Sequence, residues 1–464
     1  MDLCAVITGP TFAEAAQQLT QAVPYADLVE LRLDFFSNRS LSEIKQFLNS
    51  SPLPVLATLR KASQGGKYTG TEEERKEEIR QILRLSPSYF DLEDDSAASF
   101  FAEQYPEVSF VVSHHTFSPP YPPLEPLYES LKGGAYRKIA IAVDTVTAAL
   151  ELLNFAKGKE NLILIGLGDH GAVTRILAPC VNIPWCYAPV GTHTAPGQIP
   201  LRTLVETYRY PQLSPETKLF GLIGHPVSKS ISEHTHNAFF AELGIDAVYV
   251  KMDITSEELP NFLEQALKLG FKGLSVTTPL KDKVIPFLGD VNQGSGEIEG
   301  VNTLTSDGKA FSGCNTDGAG ALNCIGKHTP IQDKAILILG AGPAARAIAC
   351  EARLRGAVVY IKRREEMAEL PPYDIMINAT PVQMPICEGQ ILPGTIAMET
   401  NVKPHMSTFL KCAKEKHCTI IHGEEMFVEQ AVLQFEKWGL GKAEELYPRL
   451  SKIAMRRRLT ETSA

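Results

Sequence analysis

The stretch Tyr136-Arg-Lys-Ile-Ala-Ile-Ala-Val143 is one of eight short apolar runs that recur along roughly the first 210 residues. Amphipathic segments separate the runs, and Thr71–Leu83 is one of them. Continuous apolar runs are typical of strands that are buried on both faces, as in parallel sheets. The alternation therefore predicts a compact (β/α)8 barrel. The eight runs are Leu3–Gly9, Asp27–Phe35, Pro54–Arg60, Tyr89–Glu93, Val108–Phe117, Tyr136–Val143, Leu162–Gly168 and Trp185–Val190.

Lys138 stands inside the quoted run, among aliphatic residues. Loss of hydration favours the neutral form of a buried amine, and a neutral amine is a nucleophile toward carbonyl carbon. The preceding run contains the histidine pair His114-His115 near its end, which supplies a base. These residues predict imine chemistry on a keto substrate. The alternative is that Lys138 begins a strand and extends its amine to solvent.

Charged residues also mark the ends of the runs. Glu30-Leu-Arg32-Leu-Asp34 alternates charged and apolar residues at strand spacing, which predicts that all three charges lie on one face. A structural salt bridge between Glu30 and Arg32 is the alternative. Because a barrel interior tolerates charge only where it is paired or serves a site, we expect a site here. Further charged residues end or follow other runs: Arg60, Glu93 and Arg175.

The first half resembles the type I 3-dehydroquinate dehydratase family through motifs in the family's order. They are Glu-Leu-Arg-Leu-Asp at 30–34, Thr-Leu-Arg at 58–60, Asp-Leu-Glu at 91–93, Ser-His-His-Thr-Phe at 113–117, Lys-Ile-Ala at 138–140 and Ala-Pro-Gly-Gln at 195–198.

The resemblance implies that Lys138 forms the imine with the substrate ketone and that His115 is the general acid/base. It implies substrate binding by a further set of residues, of which Arg175 is best suited to a carboxylate because its fork matches two oxygens. The set is Glu30, Arg32, Arg60, Arg175, Thr194 and Gln198.

Two positions depart from the dehydratase pattern. Gln64 stands where the family usually has a glutamate, which removes a carboxylate that could orient the histidine. Thr194 replaces a common serine and keeps the hydroxyl. We expect His114 to be a neighbour without a catalytic role.

The pattern changes around Tyr210–Thr217, and we place a domain boundary there, with domains at 1–212 and 213–464. A new α/β alternation follows, with strands expected at Lys218–Gly224, Ala247–Ile254, Gly273–Thr278 and Gly300–Thr305. We expect one lobe at 213–328, completed by helices at 426–464, and a second lobe at 329–425.

The second lobe opens on Gly340-Ala-Gly342-Pro-Ala-Ala-Arg346, which has two of the three dinucleotide-fingerprint glycines. The motif follows a buried strand and begins a helix, whose first amides can hold a pyrophosphate. The next strand runs into Lys362-Arg-Arg364, where NAD sites usually carry an acidic residue. Cations there favour the 2′-phosphate of NADP(H); an exposed basic turn is the alternative. The predicted cofactor contacts here are Gly340, Ala341, Gly342, Pro343, Ala344, Lys362, Arg363 and Arg364.

The flanking motifs resemble shikimate dehydrogenase. They are Gly224-His-Pro-Val-Ser-Lys-Ser-Ile-Ser232, Ser275-Val-Thr-Thr-Pro-Leu-Lys281, Val301-Asn-Thr-Leu304, Asn315-Thr-Asp-Gly318 and Asn378-Ala-Thr380. The resemblance implies an α/β fold with a barrel followed by a two-lobed module, one lobe being a Rossmann NADP-binding lobe.

Lys281, hydrogen-bonded to Asp317, is then expected to handle the proton on a ketone oxygen that receives a hydride at carbon. The resemblance implies further contacts, to substrate by Ser230, Ser232, Thr277, Asn302 and Gln430, and to cofactor by Thr380, Gly423 and Met426.

Several positions depart from the dehydrogenase pattern. Ser275 stands where asparagine is usual, and Glu233 where proline is common. Met398-Glu-Thr-Asn-Val402 only loosely matches Tyr-Asp-x-x-Tyr. Glu424-Glu425 follows Gly423 where Leu-Gly is common, which adds negative charge near the expected nicotinamide. These changes are expected to affect affinity more than mechanism.

No metal site is expected. His234-x-His236 lies at a predicted helix start and is interpreted as capping or packing, and Cys180 and Cys186 are interpreted as core thiols. The nine cysteines lack Cys-x-x-Cys spacing, so neither a disulfide framework nor a zinc ribbon is indicated, and reduced thiols in a cytoplasm fit best. The net charge of −9 argues against nucleic acid or an anionic membrane as a main partner.

The two resemblances describe consecutive steps, dehydration of 3-dehydroquinate to 3-dehydroshikimate and its reduction to shikimate with NADPH. The sequence therefore predicts a bifunctional enzyme of the shikimate pathway that takes small-molecule substrates. The absence of a leader-like segment favours a bacterial cytoplasm or a mature form, and a monomer is expected because one chain holds both sites. Two alternatives stay open: a second half that also reduces quinate-type substrates, and a metabolite-sensing regulator derived from both domains.

Overall fold

The computed structural model describes residues 1–94, 98–191, 197–228, 230–291 and 300–461. The chain divides into two compact units. The first holds Met1–Lys218 together with Asp246–Ile254 and Glu264–Leu269, and the second holds the remaining described residues.

Eight parallel strands form the sheet of the first unit, in the order β7-β6-β5-β4-β3-β2-β1-β8, which is a nearly closed barrel. Residues such as Ile139 and Ile163 are fully buried because the strands have no solvent face, which explains the continuous apolar runs of the sequence. The predicted (β/α)8 barrel is confirmed. The strands are β1 (Asp2–Ile7), β2 (Leu28–Arg32), β3 (Val55–Thr58), β4 (Tyr89–Glu93), β5 (Ser109–Thr116), β6 (Tyr136–Ala142), β7 (Leu162–Leu167) and β8 (Trp185–Pro189).

Helices follow each strand, and local signals set where they begin. Thr11 and Thr71 each cap a helix. The side chain of each threonine accepts a hydrogen bond from the backbone N–H of the glutamate three residues later, and the side chain of that glutamate accepts one from the backbone N–H of the threonine. The helices are α1 (Phe12–Ala22), α2 (Leu41–Ser50), α3 (Glu72–Leu83), α4 (Ala98–Gln104), α5 (Leu124–Ser130), α6 (Val146–Ala156), α7 (Ala172–Ile176) and α8 (Leu201–Glu206).

One feature of the second strand differs from the prediction. The strand ends at Arg32, and Leu33–Phe35 is a 3-10 turn. Arg32 donates two hydrogen bonds to the carboxylate of Asp34, at 2.9 and 2.8 Å, which closes the chain back on itself. The prediction that Asp34 continues the strand face of Glu30 and Arg32 is therefore wrong; Asp34 is a buried partner of Arg32.

A second sheet has six strands, in the order β10-β9-β11-β13-β14-β12. Its strands are β9 (Lys218–Gly224), β10 (Ala247–Asp253), β11 (Phe271–Val276), β12 (Asp290–Val291), β13 (Thr303–Ser306) and β14 (Phe311–Cys314). The helices of this region are α9 (Ser232–Leu243), α10 (Leu259–Leu269), α11 (Leu280–Lys283) and α12 (Asp317–Gly326).

A five-stranded parallel sheet follows, in the order β16-β15-β17-β18-β19, and it confirms the predicted α/β lobe. On one face of β15, Ile338 belongs to a buried hydrophobic cluster that includes Ile348, and on the other face Leu337 belongs to a cluster that includes Leu410. The strands are β15 (Ala335–Leu339), β16 (Val358–Lys362), β17 (Ile375–Asn378), β18 (Ile396–Glu399) and β19 (Thr419–Ile421). The helices are α13 (Pro343–Leu354), α14 (Thr408–Glu415), α15 (Gly423–Lys437) and α16 (Ala443–Glu461). Within the described ranges, none of the helices combines the length and apolarity needed to cross a membrane.

Candidate active sites

Lys138 is the third residue of β6, and its side chain lies inside the barrel with 6% of its surface exposed. Its Nζ lies 3.0 Å from Asp91 Oδ2 and 3.9 Å from Glu30 Oε1. The ammonium also lies 4.0 Å from the ring centroid of Tyr187. The amine therefore does not extend to solvent, and it is surrounded by carboxylates and a ring rather than only by the aliphatic residues expected from the sequence.

Asp91 lies at the centre of this charge network and was given no individual role by the sequence reasoning. Arg60 Nη2 lies 2.7 Å from Asp91 Oδ2, and Ser113 donates to Asp91 Oδ1 at 2.6 Å. Burial opposes ionisation of Asp91, but the charges of Arg60 and Lys138 outweigh it and lower the pKa of Asp91 below its ordinary value. Asp91 is thus a permanent carboxylate beside Lys138.

Glu93 has a structural partner. Its Oε2 lies 2.6 Å from Nη1 of Arg75, a fully buried side chain on α3, and its Oε1 accepts from the backbone N–H of Lys61. Arg60 lies farther away, at 3.8 Å. Glu93 therefore fixes α3 and the loop after β3 to the barrel wall.

His115 lies near the end of β5, with Nδ1 3.4 Å from Arg60 Nη1. Burial lowers the pKa of His115 well below its ordinary value, and the charges of Arg60 and Lys138 lower it further. The imidazole is therefore neutral near pH 7, the form that accepts a proton. Gln64 Oε1 accepts a hydrogen bond from the backbone N–H of His115 at 2.9 Å. Gln64 thus positions the main chain at the histidine.

His114 faces a different environment, since its two ring nitrogens contact Asp94 and Thr116 at 2.7 and 2.8 Å. It does not line the cavity that holds His115 and Lys138. That cavity is lined by Glu30, Arg32, Arg60, Gln64, His115, Lys138, Arg175 and Gln198, together with apolar residues. Of the substrate contacts expected in the barrel, only Thr194 lies outside the described residues.

Arg175, on α7, is the cation of this cavity that lacks a carboxylate. It is 4% exposed and donates to the carbonyl oxygens of Gly197 and Tyr187, at 3.2 and 3.4 Å. It forms no ion pair with any described residue, and burial lowers its pKa. Because an uncompensated buried charge is costly, this guanidinium is suited to an anionic ligand.

In the second unit, Lys281, Asp317 and Asn302 meet as expected. Lys281 Nζ lies 2.5 Å from Asp317 Oδ2, and Asn302 Nδ2 donates to Asp317 Oδ1 at 2.8 Å. Asp317 is the first residue of α12, where the helix dipole favours a carboxylate. Lys281 therefore has a carboxylate partner, Asp317, whose orientation is fixed by Asn302.

Gln434 supports this group and was missed by the sequence reasoning. It accepts from Ser275 Oγ at 3.0 Å and donates to the carbonyl oxygen of Asn302 at 3.2 Å. Its side chain is buried on α15. The short Ser275, which departs from the family's asparagine, is thus linked to the Asn302–Asp317 pair through Gln434.

The other expected substrate contacts lie on neighbouring elements. Ser230 donates to Ser232 at the start of α9, at 3.1 Å. Thr277 follows β11, and a Cβ on Gly224 would lie 2.4 Å from its methyl group. Gln430 lies on α15, where its backbone crosses Gly320 of α12 so closely that a Cβ on the glycine would be 2.9 Å from the Gln430 nitrogen.

The glycine turn after β15 fits a dinucleotide. Gly340 has φ of +109°, a conformation that favours glycine, and a Cβ there would lie 2.9 Å from the carbonyl oxygen of Ala379. Gly342 caps α13, and a Cβ on it would meet no described atom within 4 Å. The backbone is therefore open to a ligand in front of the first amides of α13, which begins with Pro343 and Ala344.

Basic residues lie beside this turn because Lys362, the last residue of β16, pairs with Leu339 just before Gly340. Arg363 and Arg364 follow and are exposed. Among the other expected cofactor contacts, Thr380 Oγ1 bonds the side chain of Asn378, and Gly423 begins α15 against the carbonyl oxygen of Asn401. The carbonyl oxygen of Ala341 accepts a hydrogen bond from Arg346, and Met426 is 6% exposed within a buried hydrophobic cluster.

Residues 3–215 match the model of the type I 3-dehydroquinase family, and residues 222–304 match that of the shikimate dehydrogenase substrate-binding domain. The shikimate biosynthesis protein AroDE of Chlamydia pneumoniae is 30% identical over 465 residues, covering 94% of this chain and 95% of the relative. This chain belongs to the AroDE family. The resemblance of both halves is confirmed.

Relatives outside Chlamydia extend the AroDE match. The chloroplastic bifunctional 3-dehydroquinate dehydratase/shikimate dehydrogenase of Arabidopsis thaliana is 30% identical over 485 residues, 91% of this chain and 79% of that protein. A shikimate dehydrogenase (NADP(+)) of Pyrococcus furiosus is 36% identical over 246 residues, 48% of this chain and 90% of that protein. The AroDE family thus unites both predicted activities in one chain.

Proposed function

We propose that the barrel dehydrates 3-dehydroquinate to 3-dehydroshikimate through an imine on Lys138, and that the second unit reduces that product to shikimate with NADPH. The observation that carries the first step is one cavity holding a buried amine, a neutral imidazole and the guanidinium of Arg175, which has no carboxylate partner among the described residues. Those groups match a ketone, an acidic C–H and a carboxylate.

Imine formation begins when the Lys138 nitrogen, after giving up a proton, attacks the ketone carbon. The ketone oxygen leaves as water, and a C=N bond replaces the C=O bond. Asp91 and Glu30 are the carboxylates nearest the amine, so they stabilise the cationic iminium that results. The substrate carboxylate binds Arg175, which orients the ring in the cavity.

Dehydration follows from the same geometry. The iminium withdraws electrons from the neighbouring carbon, and neutral His115 takes the proton there. The electron pair forms the new C=C bond as the β-hydroxyl group leaves, and the protonated His115 returns its proton so that water departs. Hydrolysis of the imine then frees Lys138 and the enone product.

In the second unit, bound NADPH supplies a hydride to the ketone carbon. Lys281 donates the proton that converts the developing alkoxide to a hydroxyl, and Asp317 holds the ammonium in place. Asn302 fixes the other oxygen of Asp317, so the carboxylate cannot turn away. Ser230, Ser232, Thr277 and Gln430 bind the remaining substrate oxygens in this proposal.

The cofactor is NADP(H). We assign its pyrophosphate to the first amides of α13 behind Gly342, and its 2′-phosphate to Lys362, Arg363 and Arg364. The bases of this assignment are the open backbone at Gly342 and the basic residues beside it. Thr380 and Gly423 border the nicotinamide in this arrangement.

The experiment that tests the function follows NADPH absorbance with 3-dehydroquinate as the only substrate. We expect steady loss of NADPH, abolished by Lys138→Ala and restored in that variant by 3-dehydroshikimate. Lys132→Ala, an exposed lysine of the same unit, is the control and keeps the wild-type rate. Borohydride added with 3-dehydroquinate should fix one substrate mass on the wild type and none on Lys138→Ala; trapping at another lysine refutes the assignment.

We place the boundary between the two enzymes at residues 212 and 213, with the reduction lobes at 213–328 plus 426–464 and at 329–425. We further propose a monomeric cytoplasmic protein. All nine cysteines are free thiols, which suits a reducing compartment. Light scattering after size exclusion tests the monomer, because a mass of twice the chain contradicts it.

A further inference from the structure

His405, His422 and Glu424 form a cluster that none of the reactions above uses. His422 caps α15, Glu424 lies in the first turn of that helix, and His405 lies on the segment between β18 and α14. One potential ligand atom of each residue lies within 4.8 Å of the other two. The two histidines are 17 residues apart, so no short spacing motif reveals the cluster in the sequence.

Hydrogen bonds fix how both imidazoles present their nitrogens. His422 Nδ1 lies 2.9 Å from the carbonyl oxygen of His405. A carbonyl oxygen only accepts, so Nδ1 carries the hydrogen and Nε2 keeps its lone pair. His405 Nδ1 lies 2.8 Å from Glu424 Oε1, and a neutral ring there donates in the same way. Histidines that bind metals are held by this kind of bond from their other nitrogen.

Glu424 supplies the second, independent observation. Its Oε2 is buried and has no hydrogen-bond partner among the described residues. A buried carboxylate oxygen without a partner is costly, and a cation offsets that cost. The rings of His405 and His422 stack at 4.0 Å, an arrangement that two imidazolium cations would oppose.

We propose that His405, His422 and Glu424 bind one divalent transition-metal ion, with Zn²⁺ as the preferred ion. Two imidazole nitrogens and one carboxylate oxygen suit Zn²⁺, and a water molecule completes four ligands. Mg²⁺ and Ca²⁺ prefer oxygen ligands and are poor candidates. Binding requires the His405 ring to tilt from the stack about its soft χ2 torsion while its Nδ1 keeps the hydrogen bond to Glu424. The ion then ties the segment between β18 and α14 to the first turn of α15.

The test is titration of the whole chain, freed of metal with a chelator and kept reduced. We expect one Zn²⁺ per chain by calorimetry, visible absorption bands of a low-coordinate site with Co²⁺, and a thermal midpoint that rises by a few degrees with Zn²⁺. His422→Ala and Glu424→Gln should weaken Zn²⁺ binding at least tenfold. His328→Ala, an exposed histidine outside the cluster, should bind as the wild type does.

His405→Gln keeps a hydrogen-bond donor for Glu424 but removes the imidazole ligand. Its Zn²⁺ affinity therefore tests the proposal if His422→Ala fails to fold. Unchanged Zn²⁺ affinity in His405→Gln and Glu424→Gln overturns the proposal, because binding would then come from cysteines or other groups. Equal affinity for Mg²⁺ overturns it as well. Neither outcome depends on catalysis by the chain.

Discussion

Arg175 and Arg75 are two guanidinium groups of the barrel that are almost fully buried, with 4% and 1% of their surface exposed. Arg75 has two carboxylate partners: Glu93 at 2.6 Å and Glu72 at 2.9 Å. Among the described residues, Arg175 has backbone carbonyl oxygens and the Cys186 thiol as partners, and it has no carboxylate. Burial lowers the pKa of Arg175, whereas the two glutamates outweigh burial and raise the pKa of Arg75. The same substitution should therefore affect the two positions in opposite ways.

Replacement by methionine removes the charge and keeps an apolar stem. Arg175→Met should raise the free energy of unfolding by about 1 kcal/mol, since the desolvation cost of an unpaired ion exceeds two long backbone hydrogen bonds. Arg75→Met should lower it by about 3–5 kcal/mol, because Glu93 is left buried without its closest cation. For a unit of this size, those values correspond to roughly 2–4 °C of thermal midpoint per kcal/mol.

Dehydratase activity should respond in the opposite way, with a larger loss in Arg175→Met than in Arg75→Met. Two charge-assisted hydrogen bonds between Arg175 and a carboxylate are worth about 3–5 kcal/mol, so kcat/KM for 3-dehydroquinate should fall on the order of 10²–10³-fold in Arg175→Met. The fraction of Arg75→Met that is folded should lose much less of its kcat/KM. Calorimetric unfolding and initial-rate assays measure both effects. Loss of stability in Arg175→Met with unchanged kcat/KM would refute the anion-receptor role.

Three further predictions concern other parts of the molecule. The depressed pKa of His115 keeps it neutral when folded, whereas an unfolded histidine gains a proton below about pH 6.5. The free energy of unfolding of the barrel should therefore fall by up to about 1.4 kcal/mol per pH unit as the pH drops below 6.5. The acid limb of the pH profile of dehydratase kcat/KM should lie below pH 6.5, and a limb at pH 7 contradicts the assignment of His115 as the base. Arg363→Ala should weaken NADP⁺ roughly 10–100-fold in direct titration and NAD⁺ little, since only NADP⁺ carries the 2′-phosphate. Gln434→Leu should lower dehydrogenase kcat about tenfold and leave the dehydratase unchanged, because it releases the backbone at Asn302; a purely structural Gln434 would lower stability without changing kcat.

The strands of the barrel were predictable because a strand that is buried on both faces consists of a continuous run of apolar residues. Tyr89–Glu93 matches its prediction at both ends, and most other runs extend only one or two residues past the strand. The second run failed at Asp34 since local alternation cannot show that a side-chain pair, Arg32 with Asp34, ends the strand. Periodicity predicts which face a residue takes, and it does not predict when the chain turns.

The partners of the site residues were less accessible to sequence reasoning. Asp91 and Lys138 are 47 residues apart, and Ser275 and Gln434 are 159 apart. Lys138 was expected among aliphatic neighbours because its own strand is apolar, but the adjacent strands supply the charges. A strand's sequence describes its own side chains, whereas the environment inside a barrel is set by all eight strands together.

The two lysines illustrate why those partners decide the chemistry. In the proposed dehydration Lys138 must lose a proton to attack a ketone, and its closest carboxylate, on Asp91, is shared with Arg60 at 2.7 Å. A carboxylate divided between two cations holds either one less firmly than an exclusive partner does. In the proposed reduction Lys281 must instead deliver a proton, and among the described residues it is the one cation paired with Asp317, whose other oxygen accepts from the neutral Asn302. The lysine proposed to attack a carbon therefore lies in a network in which two cations share one carboxylate, whereas the lysine proposed to protonate an oxygen has a carboxylate that a neutral amide orients toward it.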